Sequence, residues 1–156
     1  MTLIKGDKAP FFKLFNSTKK EISVDTFKGK TLVVHFFPLA FTGTCTKQLC
    51  TLRDDFSFYT NLNVNVVGIS VDSLFVLNKF KEEQQLNFDL LSDFNKEASL
   101  AYGALYDEFI FGMKGVSKRA AFVIDKNGII QYSEVLETAG DLPNFEAIKE
   151  VLKAIK

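Results

Sequence analysis

The side chains able to do chemistry are few. Cys45 and Cys50 are the only cysteines and lie five residues apart. His35 is the only histidine, and of the 19 lysines and arginines only Arg53 and Arg119 are arginines. Cys45 follows the apolar run Thr31 to Phe37 (TLVVHFF) and a short turn, at the expected first turn of a helix. Unpaired backbone N–H groups and the positive end of the helix dipole lie there, and both favour a thiolate over a thiol. That makes Cys45 a candidate nucleophile; the alternative is a small buried hydrophobe. Five steps along an intact helix separate Cys45 from Cys50 by about 140° and a rise of about 7.5 Å, so their Cα atoms would sit roughly 8.6 Å apart. A disulfide needs about 7 Å or less. The pair therefore cannot bond within a continuous helix and can bond if its first turns unwind.

The elements that must position these residues are readable in outline. Residues 11–24 suggest a hairpin, FKLFN and EISV around a polar turn. TLVVHFF is a strand buried on both faces, ended by Pro38. A helix is expected from Thr44 to Tyr59, with Leu49, Leu52, Phe56 and Tyr59 at helical spacing. Residues 63–71 form a second buried strand, and Ser73 is a cap for a helix over 74–85. Residues 88–91 form a third strand, and a short helix at 95–102 ends at Gly103. Residues 104–118 are irregular. Residues 119–125 form a strand, Asn127-Gly128 is a hairpin turn, and 129–135 return antiparallel. Pro143 is expected to open a last helix to the C-terminus. This order describes an α/β protein, residues 1–156 forming one domain, with a mixed central sheet flanked by helices. It is the order of a thioredoxin-like fold with an N-terminal hairpin extension.

Pro38, Thr42 and Cys45 stand as Pro-x-x-x-Thr-x-x-Cys in PLAFTGTC. This resembles the active-site signature of the peroxiredoxins, the thiol peroxidases. The likeness extends to the hairpin, to Gly-Ile-Ser at 68–70 and to RAAFVID with the Asn-Gly that follows. It implies that Cys45 is the peroxidatic cysteine, attacking one peroxide oxygen in line with the O–O bond. It also implies that the Thr42 hydroxyl, the Arg119 guanidinium and the backbone N–H groups near Thr44 and Cys45 bind the peroxide, and that Pro38 shields the thiolate. The Cys-x-x-x-x-Cys pair is similar to the Q-type (bacterioferritin comigratory) branch. Resemblance to that branch implies that Cys50 resolves the Cys45 sulfenic acid as an intramolecular disulfide, recycled by thioredoxin or a similar dithiol. FFPLAFTG also resembles the alkyl hydroperoxide reductase E type, in which a partner thiol often resolves. Many members carry Glu three residues after the reactive cysteine. Here Gln48 stands in that place, able to hydrogen-bond Arg119 or Arg53 without charge. Arg53 is read either as part of that network or as a surface charge beside Asp54.

Composition narrows the remaining classes. Basic and acidic residues both number 19, which argues against nucleic acid and against a polybasic membrane contact. The longest apolar run is too short to span a bilayer. The N-terminus shows no signal peptide, so a cytoplasmic protein is expected, as a monomer or homodimer. Peroxide chemistry of this type needs no cofactor, and one histidine with two cysteines makes a zinc site implausible. A disulfide oxidoreductase would carry Cys-x-x-Cys, which is absent. A cysteine hydrolase would need His35 as base, but His35 is expected to sit in the core beside Val34 and Phe36. A non-enzymatic redox sensor begins with the same Cys45 sulfenate, and only sustained peroxide turnover separates it from an enzyme.

Overall fold

The computed structural model describes residues 2–155. A hairpin of β1 (Lys13–Asn16) and β2 (Glu21–Ser23) comes first, then the central strand β3 (Thr31–Phe36). Two helices follow, α1 (Gly43–Asp54) and α2 (Phe56–Asn61), and then β4 (Val64–Ser70), α3 (Leu74–Gln84) and β5 (Asp89–Ser92). The chain closes with α4 (Glu97–Ala101), the hairpin β6 (Ala120–Ile124) and β7 (Ile130–Val135), and α5 (Phe145–Ile155). The seven strands form one mixed sheet ordered β2-β1-β5-β4-β3-β6-β7. β3 and β4 pair in parallel, as do β4 and β5; β6 runs antiparallel to β3. The N-terminal hairpin is stitched to the sheet by β1 against β5.

Both faces of the sheet are covered, which explains why β3 reads as a continuous apolar run. Side chains alternate across it. Leu32, Val34 and Phe36 pack with Phe122, Ile69 and Tyr102 on one face. Val33 and Phe37 pack with Cys45, Leu49, Leu52, Phe80, Val123 and Ile148 on the other. On that second face a Cβ on Gly68 would lie 2.9 Å from Leu90 Cδ2 of the neighbouring β5, so the missing side chain makes room for Leu90. No helix among the described residues is long and apolar enough to cross a membrane.

Three expected elements differ in extent. The helix expected from Thr44 to Tyr59 is two helices, broken at Asp55. The Phe58 N–H turns to the Asp55 carbonyl at 2.9 Å, while the Asp55 carboxylate accepts from Lys149 Nζ of α5 at 2.6 Å. The last helix begins two residues after Pro143. Asn144 is its cap, accepting from the Ala147 N–H at 3.0 Å. The helix expected over 95–102 is shorter, because the buried Asp93 carboxylate takes the Ala98 and Ser99 N–H groups at 3.0 and 2.6 Å and fixes the start of α4.

Candidate active site

α1 explains which of its side chains meet. Cys45, Gln48, Leu49 and Leu52 are its buried residues. Their spacing of three, four and seven is one face of a helix, so Gln48 stands on the inward stripe directly after Cys45. Cys50 lies off that stripe and is half-buried. Thr42 is the N-cap residue, and the Thr46 N–H is the first to close on it, donating to the Thr42 carbonyl at 2.9 Å. The N–H groups of Gly43, Thr44 and Cys45 precede that ladder and point out of the helix start.

The loop before α1 is held from outside. The Phe37 N–H donates to the Ile69 carbonyl at 3.0 Å. Pro38 is buried. The Ala40 N–H donates to the Asp72 carboxylate at 2.8 Å, and the Ser70 hydroxyl donates to the same oxygen at 2.6 Å. Phe41 adopts a left-handed backbone, φ 68°, which is costly for a bulky residue. Its ring packs edge-on to Phe80, 5.0 Å between centroids. These contacts fix the turn that places Thr42 and Cys45.

Arg119 reaches Cys45 through sheet register. It immediately precedes β6, in phase with Ala121 and Val123, which face the α1 side. Because His35 pairs with Ala121, Arg119 is a diagonal neighbour of His35 on that same face. Arg119 Nη1 donates to Cys45 Sγ at 3.3 Å and to Gln48 Oε1 at 2.8 Å, and Nη2 donates to the Ala139 carbonyl at 2.8 Å. Arg119 is 2% exposed and Cys45 is 1% exposed. No carboxylate pairs with Arg119 among the described residues. A guanidinium stays charged in a protein, so a buried cation here has neutral partners except for the one that can ionise, Cys45.

Gln48 carries the network one residue further. Its Nε2 lies 2.9 Å from His35 Nδ1 and 3.4 Å from the Phe36 carbonyl. His35 is fully buried, and burial alone pushes its pKa down from 6.5 to about 3. It is therefore a neutral imidazole. His35 sits in the core as the sequence suggested, but it is joined to the site, a link that the sequence reading missed. Its signal was parity: His35 is in phase with Val33 and Phe37, the residues facing α1. The Ala139 carbonyl carried no readable signal at all.

Cys45, Gln48 and Arg119 are thus brought together. Thr42 is exposed at the helix start, and its hydroxyl donates to the Leu39 carbonyl at 2.8 Å rather than to Cys45. That leaves the oxygen lone pairs of the hydroxyl facing outward as acceptors. Thr44 is half-buried one residue before Cys45. Arg53 is not part of this network. It binds the Asp54 carboxylate at 3.0 Å and the Gln84 carbonyl at 2.7 Å. Its position eight residues after Cys45 carries it out of reach of Arg119, and it serves the contact between α1 and α3. Cys50 Sγ also faces that contact, donating to Gln84 Oε1 at 3.4 Å. The groove lined by Phe15, Phe75 and Phe94, about 420 Å³, does not include Cys45.

Comparison with known proteins places the chain in a group. The profile of the AhpC/TSA family matches residues 5–133. A putative peroxiredoxin of Mycobacterium tuberculosis is 40% identical over 130 residues, 82% of this chain and 82% of that one. The mouse mitochondrial thioredoxin-dependent peroxide reductase is 35% identical over 158 residues; the match covers 95% of this chain and 58% of that protein. The crystal structure of peroxidoxin BcpB from Mycobacterium tuberculosis superposes with a TM-score of 0.86 at 27% identity, covering 97% of both chains.

Proposed function

The chain belongs to the AhpC/TSA family and is a peroxiredoxin, a thiol peroxidase with a thioredoxin-like fold, and on that premise we propose that Cys45 is its peroxidatic residue. The observation that carries the assignment is the buried Arg119 guanidinium, 3.3 Å from Cys45 Sγ and bonded otherwise to neutral oxygens. A buried cation of this kind offers a charged donor at the sulfur and at the oxygens that react with it.

The thiolate attacks one oxygen of a hydroperoxide. The S–O bond forms as the O–O bond breaks, Cys45 becomes a sulfenic acid, and the departing alkoxide or hydroxide takes up a proton and leaves as alcohol or water. Charge builds on the departing oxygen. Arg119 and the N–H groups at the start of α1 are donors fixed in advance for it. The Thr42 hydroxyl, its own proton held by Leu39, accepts a hydrogen bond from the protonated peroxide oxygen and orients the O–O bond. Pro38 and the loop tied to Asp72 exclude water. A peroxide bond spans two atoms, so no large cavity is required. Hydrogen peroxide and organic hydroperoxides are both suitable substrates.

Cys50 is the resolving thiol in this reading. Its sulfur attacks the Cys45 sulfenic sulfur and water leaves. A dithiol protein such as thioredoxin then reduces the Cys45–Cys50 disulfide and is itself oxidised. The dependence on thioredoxin in the name of the mouse relative supports this choice of reductant. Both cysteines lie in the unbroken α1, about 8.6 Å apart by helix geometry. The first turns of α1 must therefore open before the disulfide forms. Two free thiols suit a reducing compartment such as the cytoplasm. A second reading draws on the Cys50 contact with Gln84, which turns Cys50 toward α3: an external thiol attacks the sulfenic acid, and Cys50 stays reduced. Mass spectrometry after one equivalent of peroxide separates the two. A loss of two mass units, with both cysteines in one linked pair, supports resolution by Cys50. Oxygen adducts on Cys45 with Cys50 free support the external thiol.

A further inference from the structure

The orientation of the Gln48 amide is dictated from both ends. Arg119 can only donate, so the amide oxygen must face it, at 2.8 Å. That turns Nε2 inward, where its acceptors are His35 Nδ1 at 2.9 Å and the Phe36 carbonyl at a longer 3.4 Å. An amide N–H bonds a ring nitrogen only through a bare lone pair, so Nδ1 carries no proton and Nε2 does. Nε2 is buried without a hydrogen-bond partner, and the ring stacks on Phe145 with 5.7 Å between centroids. A phenylalanine would fill this core position without stranding a donor. What the imidazole adds over such a ring is the single acceptor presented to Gln48.

We propose that His35 is a positioning residue of the peroxide site: its Nδ1 fixes the Gln48 amide so that Gln48 holds the Arg119 guanidinium against Cys45. The inference rests on the reading of Cys45 as the attacking thiol. Three bonds join the two ends: His35 to Gln48, Gln48 to Arg119, and Arg119 to Cys45 Sγ. Without the first, the amide nitrogen keeps only its long contact to the Phe36 carbonyl, and the side chain is held firmly at its oxygen end alone. Anchored at one end, it swings, and its oxygen shifts against the guanidinium. Arg119 then loses its Gln48 anchor, and the donor it offers to the reacting atoms moves. Small displacements of such donors cost large factors in rate.

Two substitutions separate positioning from packing. His35→Phe keeps a ring against Phe145 and removes the acceptor. His35→Asn places a side-chain oxygen near the site of Nδ1 and removes the ring. The readout is the second-order rate constant for hydrogen peroxide by stopped flow on folded protein, with Cys45→Ser as control. The expected result is a loss of about tenfold for His35→Phe and of no more than about threefold for His35→Asn. In a Gln48→Met background, His35→Phe should cost nothing further. A packing role gives the opposite order, and a wild-type rate for His35→Phe overturns the proposal. Should neither His35 variant fold, Gln48→Met decides: a similar loss supports the chain of bonds, and a wild-type rate overturns it. Peroxide reduction retained by Cys45→Ser would instead remove the underlying assignment of Cys45, leaving the two failures distinct.

Discussion

Mild acid should destabilise the protein through His35. The unfolded chain takes up a proton on His35 near the ordinary 6.5, whereas burial lowers the folded value to about 3. Between those limits the unfolded state holds more protons, so stability falls as pH falls. Above 6.5 neither state is protonated and the effect vanishes; below the folded value both are, and the loss stops growing. At pH 5 the chain is about 1.5 units below the ordinary value, so the loss is about 2 kcal/mol relative to pH 7.5. That figure depends hardly at all on the folded value, provided it lies well under 5. Most carboxylates titrate lower, so pH 5 isolates the histidine. The assay is urea unfolding of the wild type and His35→Phe at both pH values, comparing the two losses. The wild type should lose about 2 kcal/mol more than the variant. Equal losses would refute the reasoning and mean that the imidazole is reached by solvent or gains a partner on protonation.

Other perturbations have distinct signatures. Arg119→Met should lower the rate constant for peroxide about 100-fold or more, read by stopped flow, since it removes a fixed donor at the reacting atoms. Cys50→Ser should leave the first oxidation of Cys45 near the wild-type rate but abolish thioredoxin-supported turnover through an intramolecular disulfide; undiminished turnover would favour the external thiol. Asp72→Ala strips the Ala40 N–H and the Ser70 hydroxyl of their shared acceptor. It should cost about 1–3 kcal/mol in denaturant unfolding and slow peroxide reduction as the turn before Thr42 loosens.

The sheet was legible because its signals are local. TLVVHFF is apolar at every position but Thr31 and His35, and Asn127-Gly128 marks the late hairpin directly. The break at Asp55 was not, because Phe56 and Tyr59 keep helical phase with Leu49 and Leu52 straight across it. The partner that holds Asp55 is Lys149, at the far end of the chain. In the site, Cys45 and Gln48 were legible as a motif at a spacing of three. Arg119 was named through the family resemblance, its place at a strand start alone suggesting a surface residue, and the register of β6 on β3 explains why that place faces Cys45. Arg53 was left open between that network and a charge beside Asp54, and the structure puts it beside Asp54 and against the Gln84 carbonyl. His35 looked like a core residue and is one. Its bond to Gln48 depends on how α1 packs on β3, which no single residue announces.

The central claim is that Cys45, pressed against the buried Arg119, is the nucleophile that takes an oxygen atom from the peroxide. It is tested most directly by mixing reduced protein with one equivalent of hydrogen peroxide and following peroxide loss in the wild type and Cys45→Ser. The wild type should consume one equivalent in a single fast phase, with oxidation mapping to Cys45 by peptide mass spectrometry. Cys45→Ser should consume none on that timescale. Rapid consumption by Cys45→Ser, or oxidation that begins at Cys50, would contradict it.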